Sequence, residues 1–194
     1  MPLVLTIDQR ASRRGPDRVA AVLDRLAGTP VLRRFERTAG DEFQGVLDDP
    51  AVAVDVVLRL LRDGGWSVGV GAGPVQAPLP ASTRAGAGPA FVWAREAVEA
   101  AKRRPVRVAV RGPAPEAAAD AQAVLTALGV LVQRRSAQAW EAIALVQGGR
   151  TQAEAAAELG VTRQAVGQRL AAGLWDVERD LRPTAARLLA RVPG

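Results

Sequence analysis

The 194-residue sequence contains no cysteine, no histidine and no tyrosine. Without cysteine the chain cannot form disulfides or thiolate metal sites, and without histidine it lacks imidazole ligands, imidazole bases and serine–histidine triads. Any chemistry must therefore use Asp, Glu, Ser, Thr, Lys or Arg. We expect no membrane-spanning segment, because no run is apolar over sufficient length, and residues 1–8 are too short and insufficiently basic for a signal peptide. These absences predict a cytoplasmic protein.

The composition is that of a folded, basic chain. Hydrophobic residues make up 48% of the sequence, which is enough for a core and too many for general disorder. The formal net charge of +6 favours polyanionic partners such as nucleic acid. Lys102 is the only lysine, and the bias toward Ala, Arg, Gly and Val is also typical of a GC-rich coding genome. Charge alone therefore does not identify the partner.

Strand and helix patterns alternate in the first part of the chain and become purely helical afterwards. Predicted strands are 3–7, 31–38, 42–47, 66–71 and 106–110, and predicted helices are 16–26, 50–61, 91–101, 116–134, 136–147, 151–159, 162–170 and 184–190. The first elements follow the order βαββαβ, with an additional helix and strand. We therefore predict an α+β chain. A ferredoxin-like domain, similar to nucleotide cyclase and polymerase palm domains, covers 1–112, a connector helix 113–135, and an all-α helix-turn-helix domain 136–194.

The segment 151–170 carries the most specific pattern in the chain. Thr151 and Glu154 form the sequence signature of a capping box, which predicts a helix start. Gly160 supplies the positive φ of a tight turn, and Thr162 caps a second helix. This spacing resembles the helix-turn-helix of bacterial regulators and the DNA-reading region of sigma factors. It predicts double-stranded DNA as a partner, and a two-fold operator would require a homodimer.

The start of the second helix would meet the bases in such a complex. Arginine donates two hydrogen bonds to guanine, and glutamine pairs with adenine, in the major groove. The alternative interpretation is an ordinary helical hairpin with a solvated polar face. The predicted DNA-binding residues are Thr162, Arg163, Gln164, Gln168 and Arg169.

Acidic residues stand at two neighbouring strand ends of the predicted sheet. Asp8 ends the first strand, while Asp41 and Glu42 follow Gly40 at the hairpin turn. Carboxylates at one sheet edge can hold Mg²⁺, which in turn holds a triphosphate. The alternative is that these are unrelated acidic residues, which are common at strand ends and turns. Asp8, Asp41 and Glu42 are therefore the predicted metal ligands, with Mg²⁺ as the expected ion.

Several stretches of the sequence resemble known families. Residues 37–43, which read Arg-Thr-Ala-Gly-Asp-Glu-Phe, resemble the signature hairpin of GGDEF diguanylate cyclases, with Ala39 in place of the first glycine. Residues 67–71 and 97–103 resemble the following strand and the late helix of those cyclases. The resemblance implies that Lys102 faces nucleotide phosphates. Over its whole length, through stretches 5–10, 35–46 and 88–91, the chain is similar to the SatD family, which implies a cyclase-like domain joined to a helix-turn-helix.

The sequence departs from the cyclase pattern after Asp8. The phosphate loop and the base-reading pair of diguanylate cyclases are absent, as is the Arg-x-x-Asp inhibition motif. Guanine recognition and turnover are therefore not implied, although arginines of the same segment can bind phosphates. The predicted residues for a nucleotide or cyclic nucleotide ligand are Arg10, Arg13, Arg14, Arg37, Arg84 and Lys102.

The combined patterns lead to one main hypothesis and two alternatives. The main hypothesis is a DNA-binding transcriptional regulator whose cyclase-like domain senses a nucleotide or related anion without being an enzyme. The first alternative is an active metal-dependent nucleotide cyclase or nucleotidyltransferase with an attached DNA-binding domain. The second is an N-terminal domain that acts only as a dimerisation platform.

Overall fold

A computed structural model describes residues 1–10 and 15–194. The strands are β1 (Leu3–Gln9), β2 (Arg33–Ala39), β3 (Glu42–Leu47), β4 (Trp66–Ala72) and β5 (Val108–Arg111). The helices are α1 (Val19–Leu26), α2 (Pro50–Asp63), α3 (Pro89–Ala101), α4 (Pro115–Arg134), α5 (Ala137–Gln147), α6 (Gln152–Leu159), α7 (Arg163–Ala172) and α8 (Trp175–Arg191), with a short 3₁₀ helix at Thr83–Ala85. The chain is thus an α+β protein in which a five-strand mixed sheet with interleaved helices precedes an all-helical region, as predicted.

The five strands form one sheet in the order β2-β3-β1-β4-β5. All neighbouring strands are antiparallel except β4 and β5, which are parallel. β1 therefore lies at the centre, between β3 and β4. The register places Asp8 of β1 opposite Glu42 of β3 on one side and opposite Ser67 of β4 on the other.

One face of the sheet is covered by α3, which lies unusually close to β4. A Cβ atom at Gly69 would stand 2.2 Å from the backbone nitrogen of Val98, and one at Gly71 would stand 2.1 Å from the carbonyl oxygen of Ala90. These distances are far shorter than any non-bonded contact, so only glycine permits this approach. The two glycines that interrupt the predicted strand thus fix the position of α3.

The opposite face of the sheet covers the largest core, which is formed with α1, α2, α4 and α8. The final helix is longer than the predicted 184–190, since it runs through Pro183. Proline removes a helical hydrogen bond and ordinarily interrupts a helix. Here Ala185 and Leu189 are fully buried in the core, and their burial stabilises the continuous helix. The last helix therefore belongs to the layer beneath the sheet.

Helix α4 is long and apolar enough to cross a membrane by length and composition, which differs from the expectation that no run is apolar over sufficient length. Its face containing Ala121, Leu125 and Leu128 is fully buried in the core beneath the sheet. This face packs against α2 and α8.

Helices α5, α6 and α7 pack around a separate small core. Its fully buried members include Ile143, Ala155 and Val166, and Leu170 is 7% exposed. Val166 and Leu170 thus form the inward side of α7. Trp140 of α5 packs against both this core and the core beneath the sheet. This side chain therefore lies where the two parts of the chain meet.

Trp140 and four charged side chains near it form a cluster that we call the joint: Arg62, Arg135, Glu178 and Arg182 with Trp140. Glu178 of α8 is fully buried and accepts hydrogen bonds from Arg135 and Arg182. Arg182 also reaches Asp55 of α2 at 3.2 Å. The Trp140 ring is stacked against two guanidinium groups, with the Cζ atoms of Arg62 and Arg135 at 3.7 and 4.8 Å from its centroid. The joint thus connects α2, α5 and α8.

Replacing Glu178 with Ala is expected to destabilise the protein by about 3–5 kcal/mol, because Arg135 would remain buried without its carboxylate. Urea unfolding followed by circular dichroism measures the change. Asp180→Ala is the matched control, since its side chain is 74% exposed on the same helix, and it should change stability by about 0.5 kcal/mol at most. Equal effects of the two substitutions would contradict this role of Glu178.

Candidate nucleic-acid surface and anion-binding sheet edge

The α6–α7 pair is built by the local signals that the sequence predicted. The Thr151 side chain accepts a hydrogen bond from the Glu154 backbone N–H, and the Glu154 carboxylate accepts one from the Thr151 backbone N–H. Gly160 ends α6 with φ +64°. The Thr162 hydroxyl oxygen then accepts a hydrogen bond from the Ala165 N–H at 3.1 Å and caps α7. The predicted capping box, turn and second cap are all confirmed.

The outward side of α7 presents three polar side chains together. Arg163, Gln164 and Gln168 are exposed. Arg169, which was also expected to face outward, is half-buried and forms an ion pair with Glu141 of α5 at 3.5 Å. Position 169 adjoins the inward-facing Leu170, so its side chain is directed toward α5. The structure therefore separates Arg169 from the exposed set.

A shallow depression of about 530 Å³ lies on this surface, between α7 and the start of α6. It is lined by Gln152, Arg163, Gln164, Gly167, Gln168 and Ala171. A Cβ atom at Gly167 would meet only the Gln152 Oε1 atom, at an ordinary 3.6 Å. Internal packing thus does not require this glycine. Because glycine has no side chain, the surface of α7 is recessed at the middle of the helix.

The predicted metal and phosphate residues meet at the end of β1 beneath α3. Lys102 Nζ lies 2.9 Å from Asp8 Oδ2 and 2.7 Å from Glu99 Oε1. Burial raises the pKa of Asp8, while the hydrogen bond and charge of Lys102 oppose this and the charge of Asp41 adds to it. The pKa of Lys102 is raised because its two carboxylate partners outweigh the effect of burial. We call Asp8, Glu99 and Lys102 the sheet-edge cluster.

The contacts of the predicted metal ligands bear on whether they could hold a magnesium ion. Asp8 is paired with Lys102, and the Glu42 carboxylate accepts a hydrogen bond from the Thr38 hydroxyl at 2.7 Å. Over residues 1–10 and 15–194, no group of three or more acidic side chains is placed to hold a metal ion. The described contacts therefore do not bring three carboxylates together, and we assign no chemical step to a metal ion here.

The predicted ligand-binding residues are only partly brought together. Arg37 pairs with Asp17 before α1 at 2.5 Å. Its register partner Phe43 belongs to the core beneath the sheet, so Arg37 lies on the opposite face from Lys102. Arg84 is exposed on the 3₁₀ helix, and Arg10 is exposed just after β1. Arg13 and Arg14 lie outside the described residues.

Two residues near the sheet-edge cluster were missed by the sequence reasoning. Arg107 donates a hydrogen bond to the Lys102 carbonyl oxygen at 2.7 Å. Its pKa is lowered by burial and by the charge of Arg10, which indicates a second positive group at this end of the sheet. The Ser67 hydroxyl, opposite Asp8 in the register, is buried without a hydrogen-bond partner among the described residues. The strand register reveals Ser67 and the hydrogen bond to Lys102 reveals Arg107, and the sequence provides neither.

In comparisons with known proteins, no protein-family model, no curated protein and no solved structure matches this chain. Any proposal about function therefore rests on the sequence and geometry of this chain.

The ionisation of Asp8 provides a test of the sheet-edge cluster. In carboxyl ¹³C NMR titrations, the pKa of Asp8 should lie above the ordinary 3.8, increase further in Lys102→Met and decrease in Asp41→Asn. The reason is that Lys102 stabilises the charged form and Asp41 opposes it. Because folding raises this pKa, the stability that Asp8 contributes is present below its unfolded pKa and is lost as pH rises through the folded pKa. A pKa unaffected by either substitution would contradict the cluster.

Proposed function

We propose that this chain is a DNA-binding transcriptional regulator, with α6 and α7 as a helix-turn-helix and α7 as the recognition helix. The observation that carries the proposal is the exposed row Arg163, Gln164 and Gln168 on a helix that is capped and supported by its own core. These side chains match the donors and acceptors that guanine and adenine present in the major groove. The positive net charge supports attraction to the phosphate backbone.

The N-terminal part has the features of a ligand-sensing domain. The antiparallel order β2-β3-β1-β4 and the βαββαβ connection are those of ferredoxin-like domains, to which nucleotide cyclase domains are related. This topology supports the resemblance to cyclases and to the SatD family. Lys102, with Arg10 and Arg107 near the same end of the sheet, would attract the phosphates of a nucleotide.

Sensing is favoured over catalysis by the pairing at the sheet edge. Asp8 and Lys102 neutralise each other, whereas a metal-dependent cyclase would need Asp8 free to bind the metal. A nucleotide would have to compete for Lys102, which would change the contacts between α3 and β1. We therefore place ligand binding, and not turnover, in this domain.

DNA binding is tested by selecting preferred sequences from a random duplex library with the purified chain, followed by fluorescence anisotropy. Affinity should fall as salt increases, because phosphate contacts release counterions. Arg163→Ala and Gln164→Ala should each reduce discrimination between the selected site and its variants by about 1–3 kcal/mol.

Arg187→Ala is the matched control, since Arg187 is an exposed arginine on α8. It should leave sequence discrimination unchanged. A protein that selects no sequence, or whose preference is intact in both α7 variants, would overturn the assignment of α7.

A further inference from the structure

A second basic site lies on the face of the sheet opposite Lys102, in a cleft between α1 and α2. The cleft has a volume of about 710 Å³, within the range of small-molecule sites. Its apolar floor consists of Val22, Leu26 and Leu60, which are almost fully buried. Three arginines stand around this floor: Arg25, Arg59 and Arg62.

The charges around the cleft are unbalanced toward positive. Asp63 is the only carboxylate in the lining, and it is shared between Arg25 at 3.1 Å and Arg18 at 2.6 Å. Arg59 pairs with Asp55 of the same helix at 2.7 Å. Asp55 in turn also binds Arg182. Each carboxylate therefore pairs with two guanidinium groups. The guanidinium groups retain N–H donors that would be available to an incoming anion.

Of the three arginines around the cleft, Arg62 has the N–H donors most available to a ligand. Within the described part of the chain it forms no ion pair or hydrogen bond, and its flat face stacks on Trp140 at 3.7 Å. Stacking uses the face of a guanidinium and leaves its in-plane N–H donors available for a bidentate anion. The pKa of Arg62 is lowered by burial and by the charge of Arg135. A bound anion would relieve the repulsion between these two cations.

We propose that this cleft binds a small phosphate-bearing molecule, with its phosphate on Arg59 and Arg62 and its organic part on the apolar floor. Arg59 and Arg62 are three residues apart on α2, so their side chains project from adjacent positions of the same helix face. The site is separate from the sheet-edge cluster. It shares Arg62 with the joint, where this side chain stacks on Trp140.

The test is isothermal titration calorimetry of the full chain with inorganic pyrophosphate as the probe. Saturable binding is expected, and Arg59→Gln and Arg62→Gln should each weaken it about tenfold, equivalent to about 1.4 kcal/mol. Arg191→Gln removes the same charge from an exposed position at the C-terminal end of α8 and should leave binding unchanged.

The outcomes separate the two sites. Binding that is absent, that is as strong in both cleft variants as in the parent, or that weakens equally in Arg191→Gln would overturn the proposal. Loss of binding in Lys102→Met with retention in the cleft variants would place the phosphate at the sheet edge, which also overturns it. If Arg62→Gln fails to fold, Arg59→Gln decides alone, because the Arg59 side chain is 60% exposed.

Discussion

The structure depends on one buried carboxylate, Glu178, which holds the last helix against both parts of the chain. A fully buried charge is costly unless it is paired and hydrogen-bonded, and Glu178 satisfies this with Arg135 and Arg182. Arg135 stands between α4 and α5 and also donates to the Gly173 carbonyl at the end of α7. The same carboxylate therefore fixes where α5 begins, where α7 ends and how α8 returns beneath the sheet.

This arrangement makes the two parts of the chain interdependent. The α5–α7 core is small, and its Trp140 also contacts the large core beneath the sheet. Side chains of α8 complete that large core. The large core is therefore incomplete without α8, and Trp140 packs against both cores. The position of α7 relative to the sheet is consequently determined by packing and ion pairing at the joint, and not by a flexible linker.

Local signals explain which features the sequence could predict. Thr151, Gly160 and Thr162 form caps and a turn with residues only a few positions away in the sequence. The predicted caps and turn were confirmed. The strand alternation likewise gave the α+β class. The predicted start of the last helix at residue 184 was wrong, because α8 runs through Pro183 and the burial of side chains on either side outweighs the loss of one hydrogen bond. The joint brings together Arg135 and Glu178, which are 43 positions apart, and the α1–α2 cleft brings together Arg25 and Asp63, which are 38 positions apart, so no local pattern could indicate them.

The magnitudes at the joint decide which contact a ligand could alter. Breaking the Glu178 pair would cost about 3–5 kcal/mol, more than most small ligands can redirect into a conformational change. A cation–π contact is worth about 0.5–2 kcal/mol, which matches the 1–3 kcal/mol typical of coupling between sites. An anion on Arg62 would alter the stacking on Trp140 while leaving the buried ion pair intact. Since Trp140 belongs to α5, and α5 packs against α7, any coupling of the cleft to the proposed recognition helix α7 would pass through this stack and would be limited to about its own strength.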